Sequence, residues 1–404
     1  MSHTDSHVLP AEPGRLKLPG IVQGVSAVFV LAGAVALGLA FSRGEAELAW
    51  SSYLIGVVYA LGLGVFGVAW LAMLYLSGAE WSVSMRRIPE AMTAWLLPGG
   101  ALAMAVGLGG SSLYHWWHAD VVAQDRLLAH KAPFLNLTMF TVLVGVSLVL
   151  WVVFAALFVS TSHRQDREGG MTPTRQSRTL SAVFLVVFAL TLSIVGFYFL
   201  MSLDAHWFST MFAVLVFTDV VQTGTAFVAI MAGIIMLSGQ LKGFLNENHL
   251  HSLGKMVFAS TGFWAYIYFC QFMLIWYANI PEETAYFVRR MDNGWMPYML
   301  ALPALKFVVP FVLLIPRNAK RQPMPLALVS VVILVAQFWE LFLMVAPAVG
   351  QGGAMAQAHV PFVEFWATLG FVGLFTLVFG WYLGRHDAVP LKDPAIAACL
   401  DYHS

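Results

Sequence analysis

The sequence predicts an all-α polytopic membrane protein with ten transmembrane helices, and three observations carry that prediction. Of the 404 residues, 59% are hydrophobic and only 10% are charged, against roughly 25% charged in an ordinary soluble domain. No soluble fold hides so much apolar surface. The apolar residues also fall in ten long runs, each about long enough to cross a hydrocarbon core of ~30 Å at ~1.5 Å per residue. Backbone groups in lipid must be paired within their own segment, so such runs are helices and not barrel strands. Finally, Lys and Arg are lopsided. Of the 21, fifteen fall in loops on one side of the runs and five on the other, while Lys306 lies inside a run. Basic loops stay in the cytosol, which puts both termini there.

In chain order, the first twenty residues are polar, with Asp5 and Glu12 among them. They read as a retained cytosolic tail and not as a signal peptide. Spans follow at roughly 21–41, 52–77, 93–113, 134–160, 179–203, 210–238, 252–278, 296–316, 325–347 and 361–384. The stretch 161–178, TSHRQDREGGMTPTRQSR, is the longest charged connection and reads as a flexible linker between five spans and five. Two outer connections are aromatic: YHWWHAD at 114–120 and DAHWF at 204–208. They read as an interfacial aromatic belt or, more sharply, as a docking surface or the mouth of a quinone or proton path.

The second half carries the buried polar groups. Span 6 places Asp219 ~14 Å below its outer end, with Gln222 about one turn further on. An ionisable group at that depth costs ~3 kcal/mol or more, so it needs a partner, hydration or a function. Lys306 in span 8 comes to ~15 Å, a matching depth. Span 9 presents Gln337 and Glu340 on one face at i, i+3. Span 10 begins with Glu364, and span 7 carries His251 and Lys255 at its cytosolic end and Gln271 in its outer third. Asp204 and His206 lie in the outer loop ahead of span 6. Spans 2–5 show no acid or base in their apolar middle. Titratable groups and amides at stepped depths are what a proton relay requires, so these residues are the proton-path candidates. The competing reading is a static Asp219–Lys306 ion pair that fixes two helices.

Other chemistries lack their residues. Net charge is zero, with no basic patch for nucleic acid. Cys270 and Cys399 are the only cysteines and give no iron–sulfur or zinc spacing. The twelve histidines fall in tails, loops or span ends, unsuited to a membrane haem, which needs facing histidines in the core. There is no GxGxxG or Walker motif. The chain is therefore expected to hold no metal and no redox centre, and no catalytic residue is assigned.

Two stretches, SGAEWSVSMRRIPEAM at 77–92 and NHLHSLGKMVFASTGFWAYIYFCQFMLIWYANIPEETAYF at 248–287, resemble the ActF subunits of bacterial alternative complex III. These belong to the NrfD/PsrC-like integral membrane family, and the likeness extends loosely over the whole chain. The resemblance implies two four-helix bundles, spans 2–5 and 6–9, with spans 1 and 10 peripheral. The expected organisation is a tail at 1–20, a first helix and outer loop at 21–51, a first bundle at 52–160 and 179–203 around the linker 161–178, a second bundle at 204–347, an outer loop and tenth helix at 348–384, and a tail at 385–404. It further implies a multi-pass subunit of a bacterial inner membrane, in a respiratory quinol:cytochrome c or oxidase-linked oxidoreductase. The implied partners are a second NrfD-like subunit, an Fe–S protein, haem c subunits, small membrane subunits and a terminal oxidase. Iron–sulfur clusters and haem c would belong to those partners.

The favoured expectation is thus a subunit without its own redox centre and with a transmembrane proton path through spans 6–10. Two alternatives stay open. In one, this chain is a quinone-binding catalytic subunit in which His115, His118 or Asp120 takes quinol protons at the outer face. In the other, it is a stand-alone secondary transporter, since Pro303 and Pro310 around Lys306 resemble the broken helices of transporters.

Overall fold

The computed structural model describes residues 14–349 and 357–403. The N-terminal residues expected to form most of the first tail, and residues 350–356 of the loop before the tenth helix, lie outside the described residues. Ten helices are long and apolar enough to cross a membrane: α1 (Gly20–Ser42), α2 (Ala46–Ser77), α3 (Arg87–Leu113), α4 (Leu137–Glu168), α5 (Thr172–Phe199), α6 (Met211–Leu237), α7 (Glu247–Ala278), α8 (Met296–Leu314), α9 (Pro323–Val349) and α10 (Phe362–Leu383). Among the described residues there is no strand beyond one isolated bridge, Arg15 to Asp387. The protein is an all-α polytopic membrane protein.

α2 is the central helix. It is almost wholly enclosed, whereas α1 turns most of its surface outward. α2 packs against α3, α4 and α5 on one side, α6 and α9 on another, and α1 and α10 on a third. Its glycines let neighbours approach: a Cβ on Gly67 would come within 2.7 Å of the Pro89 carbonyl oxygen. α1 and α10 close on each other in the same way, with Gly33 against Gly370. α10 therefore sits between α1 and α2, and α1 is the outermost of the three. In the second half α6 packs on α7 and α9, and α8 packs between α7 and α9.

The segment expected as a linker, 161–178, is largely helical. α4 runs to Glu168 and α5 starts at Thr172, leaving three residues as the turn. Side chains hold the extension: Arg164 lies at i, i+4 to Glu168 (3.8 Å), and Gln165 Nε2 donates to Thr174 Oγ1 (2.8 Å) across the turn.

The described residues before α1 and those after α10 share one end of the bundle. Ala388 N donates to Gly14 O, and Lys17 N donates to Gln240 Oε1 (2.7 Å). From α10 the chain continues as a strap over this end. Lys392 Nζ donates to Arg167 O, and Arg86 pairs with Asp393 at 2.5 Å. Cys399 Sγ donates to Trp81 O, and His249 Nε2 donates to Cys399 O (3.0 Å). The strap thus touches both halves of the molecule. We call this end the tail side and the other the far side.

Candidate functional site

The site grows from a break in α8. Pro303 and Pro310 flank a wide π turn, Ala304–Val308, that contains Lys306. Proline has no N–H, so Pro310 cannot bond the carbonyl four residues back, which is that of Lys306. Gln222 of α6 supplies the missing donor: its Nε2 lies 2.9 Å from Lys306 O and also donates to Thr261 Oγ1 (3.2 Å). The bulge turns Lys306 inward, where it is fully buried. Its ammonium donates to Asp219 Oδ1 (2.6 Å), Gln337 Oε1 (2.6 Å) and Glu340 Oε2. All three ammonium protons are used.

Neighbouring groups fix the acceptors. Thr223 Oγ1 donates to Gln337 Oε1 (3.0 Å), and Trp264 Nε1 donates to Glu340 Oε1 (3.3 Å). The Trp264 ring also faces the Lys306 ammonium at 4.9 Å, a cation–π distance. Asp219 and Glu340 are both nearly inaccessible to solvent. Two carboxylates and one ammonium leave a formal charge of −1 when all are ionised, and one added proton makes the cluster neutral.

Each carboxylate borders its own cavity. Glu340, with Tyr268, Gln271, Tyr286 and Arg290, lines one that leaves about 20 Å³ to the centre of a water molecule. Asp219, with Tyr59, Thr223 and Gln337, lines another of about 30 Å³ between α2 and α6. A single water needs ~10–15 Å³ by this measure, so each has room for at least one. Gln271 Oε1 is buried without a partner among the described residues.

Beyond the first cavity lies a second charged group. Arg290 is buried, and its guanidinium donates to Tyr286 O, Leu343 O, Met344 O and Asp204 Oδ2 (3.1 Å). Leu343 O is free because Pro347, four residues on, has no N–H. Arg289 closes on Asp204 from the far-side surface. Burial and the adjacent Arg290 both lower the Arg289 pKa from its ordinary value.

No family model matches this chain, and no curated protein matches it. The functional reading therefore rests on the residues themselves.

Of the proton-path candidates, the structure brings Asp219, Gln222, Lys306, Gln337 and Glu340 into one cluster, with Gln271 and Asp204 in line toward the far side. The others stand apart. Glu364 is buried against His359 Nε2 (2.8 Å) at the far-side start of α10, and that bond raises the His359 pKa. His206 bonds Asp125 Oδ2 (2.6 Å) on the exposed far side. His251 and Lys255 lie near the tail-side start of α7. Nine residues, ~13 Å of helix rise, separate His251 from Ser260, whose hydroxyl lies 3.2 Å from Thr225 Oγ1 below the cluster. On the quinone side, His118 Nε2 donates to Ser111 O (2.9 Å), and Asp120 is exposed. Burial, reinforced by His206, lowers the His115 pKa. His118 N donates to His115 O (3.2 Å) along the backbone, but among the described residues no side-chain hydrogen bond joins His115, His118 and Asp120 to one another.

The sequence reading missed a second buried charge cluster. Arg87 donates to Glu90 Oε2 (2.6 Å), Ser162 Oγ (3.1 Å), Asp387 O (2.9 Å) and Asp166 Oδ2. Ser162 Oγ completes the ring by donating to Glu90 Oε1 (2.5 Å). By sequence Arg86 and Arg87 count among the fifteen basic residues placed in loops on one side of the spans. The signal was the Arg87–Glu90 spacing of i, i+3 in the opening turn of a helix.

Proposed function

We propose that this chain is a membrane subunit of a respiratory quinol-oxidising complex of the alternative complex III kind, with no redox centre of its own, and that it conducts protons through its second half. The two family-like stretches support the complex. One observation carries the proton path: two carboxylates share one ammonium in mid-membrane, and each faces a cavity with room for water. In this reading the tail side is cytosolic, the bilayer is a bacterial inner membrane, and the partners hold the iron–sulfur clusters and haem c.

The residues have separable roles. Hydroxyls of Thr225, Ser260 and Thr261 lie between the tail-side end of α7 and the cluster and pass a proton inward by way of water. Asp219 accepts it and becomes neutral, which leaves the Lys306 ammonium to Glu340. Transfer of a proton to Glu340 returns the ammonium to Asp219. The proton leaves through the cavity at Gln271 and past the Arg290–Asp204 pair. Arg290 is a fixed cation beside this exit and opposes the free passage of other cations.

Asp219→Asn tests the path. The expected outcome is an assembled complex whose quinol oxidation in detergent is near normal, but whose proton-to-electron ratio in sealed vesicles is lower. A specific observation favours the static alternative, since all three Lys306 protons are already satisfied. A static triad predicts lost assembly from Asp219→Asn and recovery on adding Lys306→Met. A stable single variant that pumps like the parent would end the proton-path proposal.

A further inference from the structure

A roomy cavity at the tail-side ends of two first-half helices has no role in the proton path. It lies between the end of α2 and the start of α5 and is bordered by the strap residues Asp393 to Ala395. It leaves about 150 Å³ to the centres of water-sized atoms, against 20–30 Å³ for the two cavities at the cluster. At ~15 Å³ each that is room for roughly ten waters, or for one small polar headgroup. Both bounding helices end here, so the cavity sits at the level where lipid headgroups meet the hydrocarbon. Its walls are mixed, with Leu71, Leu74 and Val83 beside charged groups.

The charges sort into used and unused. Arg86 and Asp393 satisfy each other at 2.5 Å, and Arg86 also lies over the Tyr75 ring at 5.0 Å. Arg178 and Glu80 also line the cavity, and neither side chain makes an ion pair or hydrogen bond among the described residues. The start of α5 adds positive character: its cap residue Met171 gives no side-chain bond, and its first turn holds no acid. The Tyr75 hydroxyl is buried at the cavity wall, and among the described residues it has no hydrogen-bond partner. A ligand that satisfies all of these carries an anion for Arg178, α5 and Tyr75, a cation for Glu80, and an apolar portion for the leucines.

We propose that this cavity binds a phospholipid headgroup that carries an amine, its phosphate held by Arg178, the start of α5 and the Tyr75 hydroxyl, and its ammonium by Glu80. The proposal is independent of the proton path, because none of these residues touches the Lys306 cluster.

The test is a titration of the full chain, with the subunits that accompany it, in detergent, following the melting temperature. The probes are dihexanoyl phosphatidylethanolamine, dihexanoyl phosphatidylglycerol and inorganic phosphate. The ethanolamine lipid is expected to raise the melting temperature most. Arg178→Gln is expected to weaken its apparent affinity about tenfold or more, the loss of one charge-assisted contact. Tyr75→Phe weakens it less, and Glu80→Gln erases the preference for ethanolamine over glycerol. The unliganded variants should melt close to the parent, since Arg178 and Glu80 are exposed. Equal binding of the two lipids by the parent would overturn the amine assignment. An equal effect of inorganic phosphate would overturn the lipid source in favour of a soluble anion. No shift with any probe, or a shift unchanged by Arg178→Gln, would overturn the site.

Discussion

The two halves of the molecule each bury one cation between two carboxylates, yet the two triads differ in kind. In the first half Arg87 lies between Glu90 and Asp166, at the tail-side end of α3, where Asp166 keeps 22% of its side chain exposed. In the second half Lys306 lies between Asp219 and Glu340, with none of the three more than 5% exposed. An arginine holds its proton at any ordinary pH and spreads its donors in a rigid fork, whereas a lysine is a mobile point charge. The Arg87 fork spends one donor on the backbone carbonyl of Asp387 and so ties the strap to α3. The Lys306 ammonium gives all its protons to side chains. Equal stoichiometry therefore gives a clamp within reach of bulk water and, in the function proposed above, an exchangeable cluster away from it.

The contrast predicts unequal costs. Removing the cation at mid-depth strands two carboxylates with no bulk water to take over. Lys306→Met should destabilise by about 3–5 kcal/mol, the usual scale for breaking a buried pair. Arg87→Met should cost less, because Asp166 can be hydrated. Thermal melting of the two variants side by side checks this, and an equal or larger loss at Arg87 would break the comparison. A smaller effect sharpens it. Arg87→Lys keeps the charge but gives up at least one charge-assisted bond, for a loss of about 1.5–3 kcal/mol. Because this triad is a clamp, the proton-to-electron ratio in vesicles should not change. A fall in that ratio would move part of the proton path into the first half.

The smallest expected effect concerns the far side. Glu364 raises the pKa of the half-buried His359 imidazole through their hydrogen bond, more than burial lowers it. A raised folded-state value means that the pair stabilises the fold fully below the ordinary imidazole pKa of ~6.5. That contribution disappears as pH climbs through the raised value. The melting-temperature gap between the parent and His359→Gln should therefore be widest near pH ~5.5 and shrink toward pH ~8.5. A gap that widens with pH would contradict the assignment.

Much of this architecture was legible in the sequence, for identifiable reasons. The ten helices follow from apolar runs that lipid permits in only one form. Asp219 and Lys306 could be set at matching depth because rise per residue is nearly constant, whereas Glu340 was read only as sharing a helix face with Gln337. That Asp219 and Glu340 share one ammonium could not be read, since helix rotation depends on packing and on the bulge between Pro303 and Pro310. Pro310 marked a carbonyl in need of a donor, but nothing local identified Gln222 as that donor. The Arg86–Arg87 pair was misjudged for a related reason. Loop charges are solvated by default, whereas Glu90, Ser162 and Asp166 hold Arg87 and the strap, folding back from beyond α10, completes the enclosure of both arginines. The stretch 161–178 was read as flexible from its charge content, whereas bonds such as Gln165 to Thr174 make it a continuation of two helices.

The strap also sets an order of manufacture. Residues 385–402 emerge from the ribosome only after all ten helices have been made, yet they complete the surroundings of Arg86 and Arg87 near the start of α3 and of His249 near the start of α7. Until then Arg86 lacks its Asp393 partner, Arg87 lacks the Asp387 carbonyl, and the start of α7 lacks its contact with Cys399.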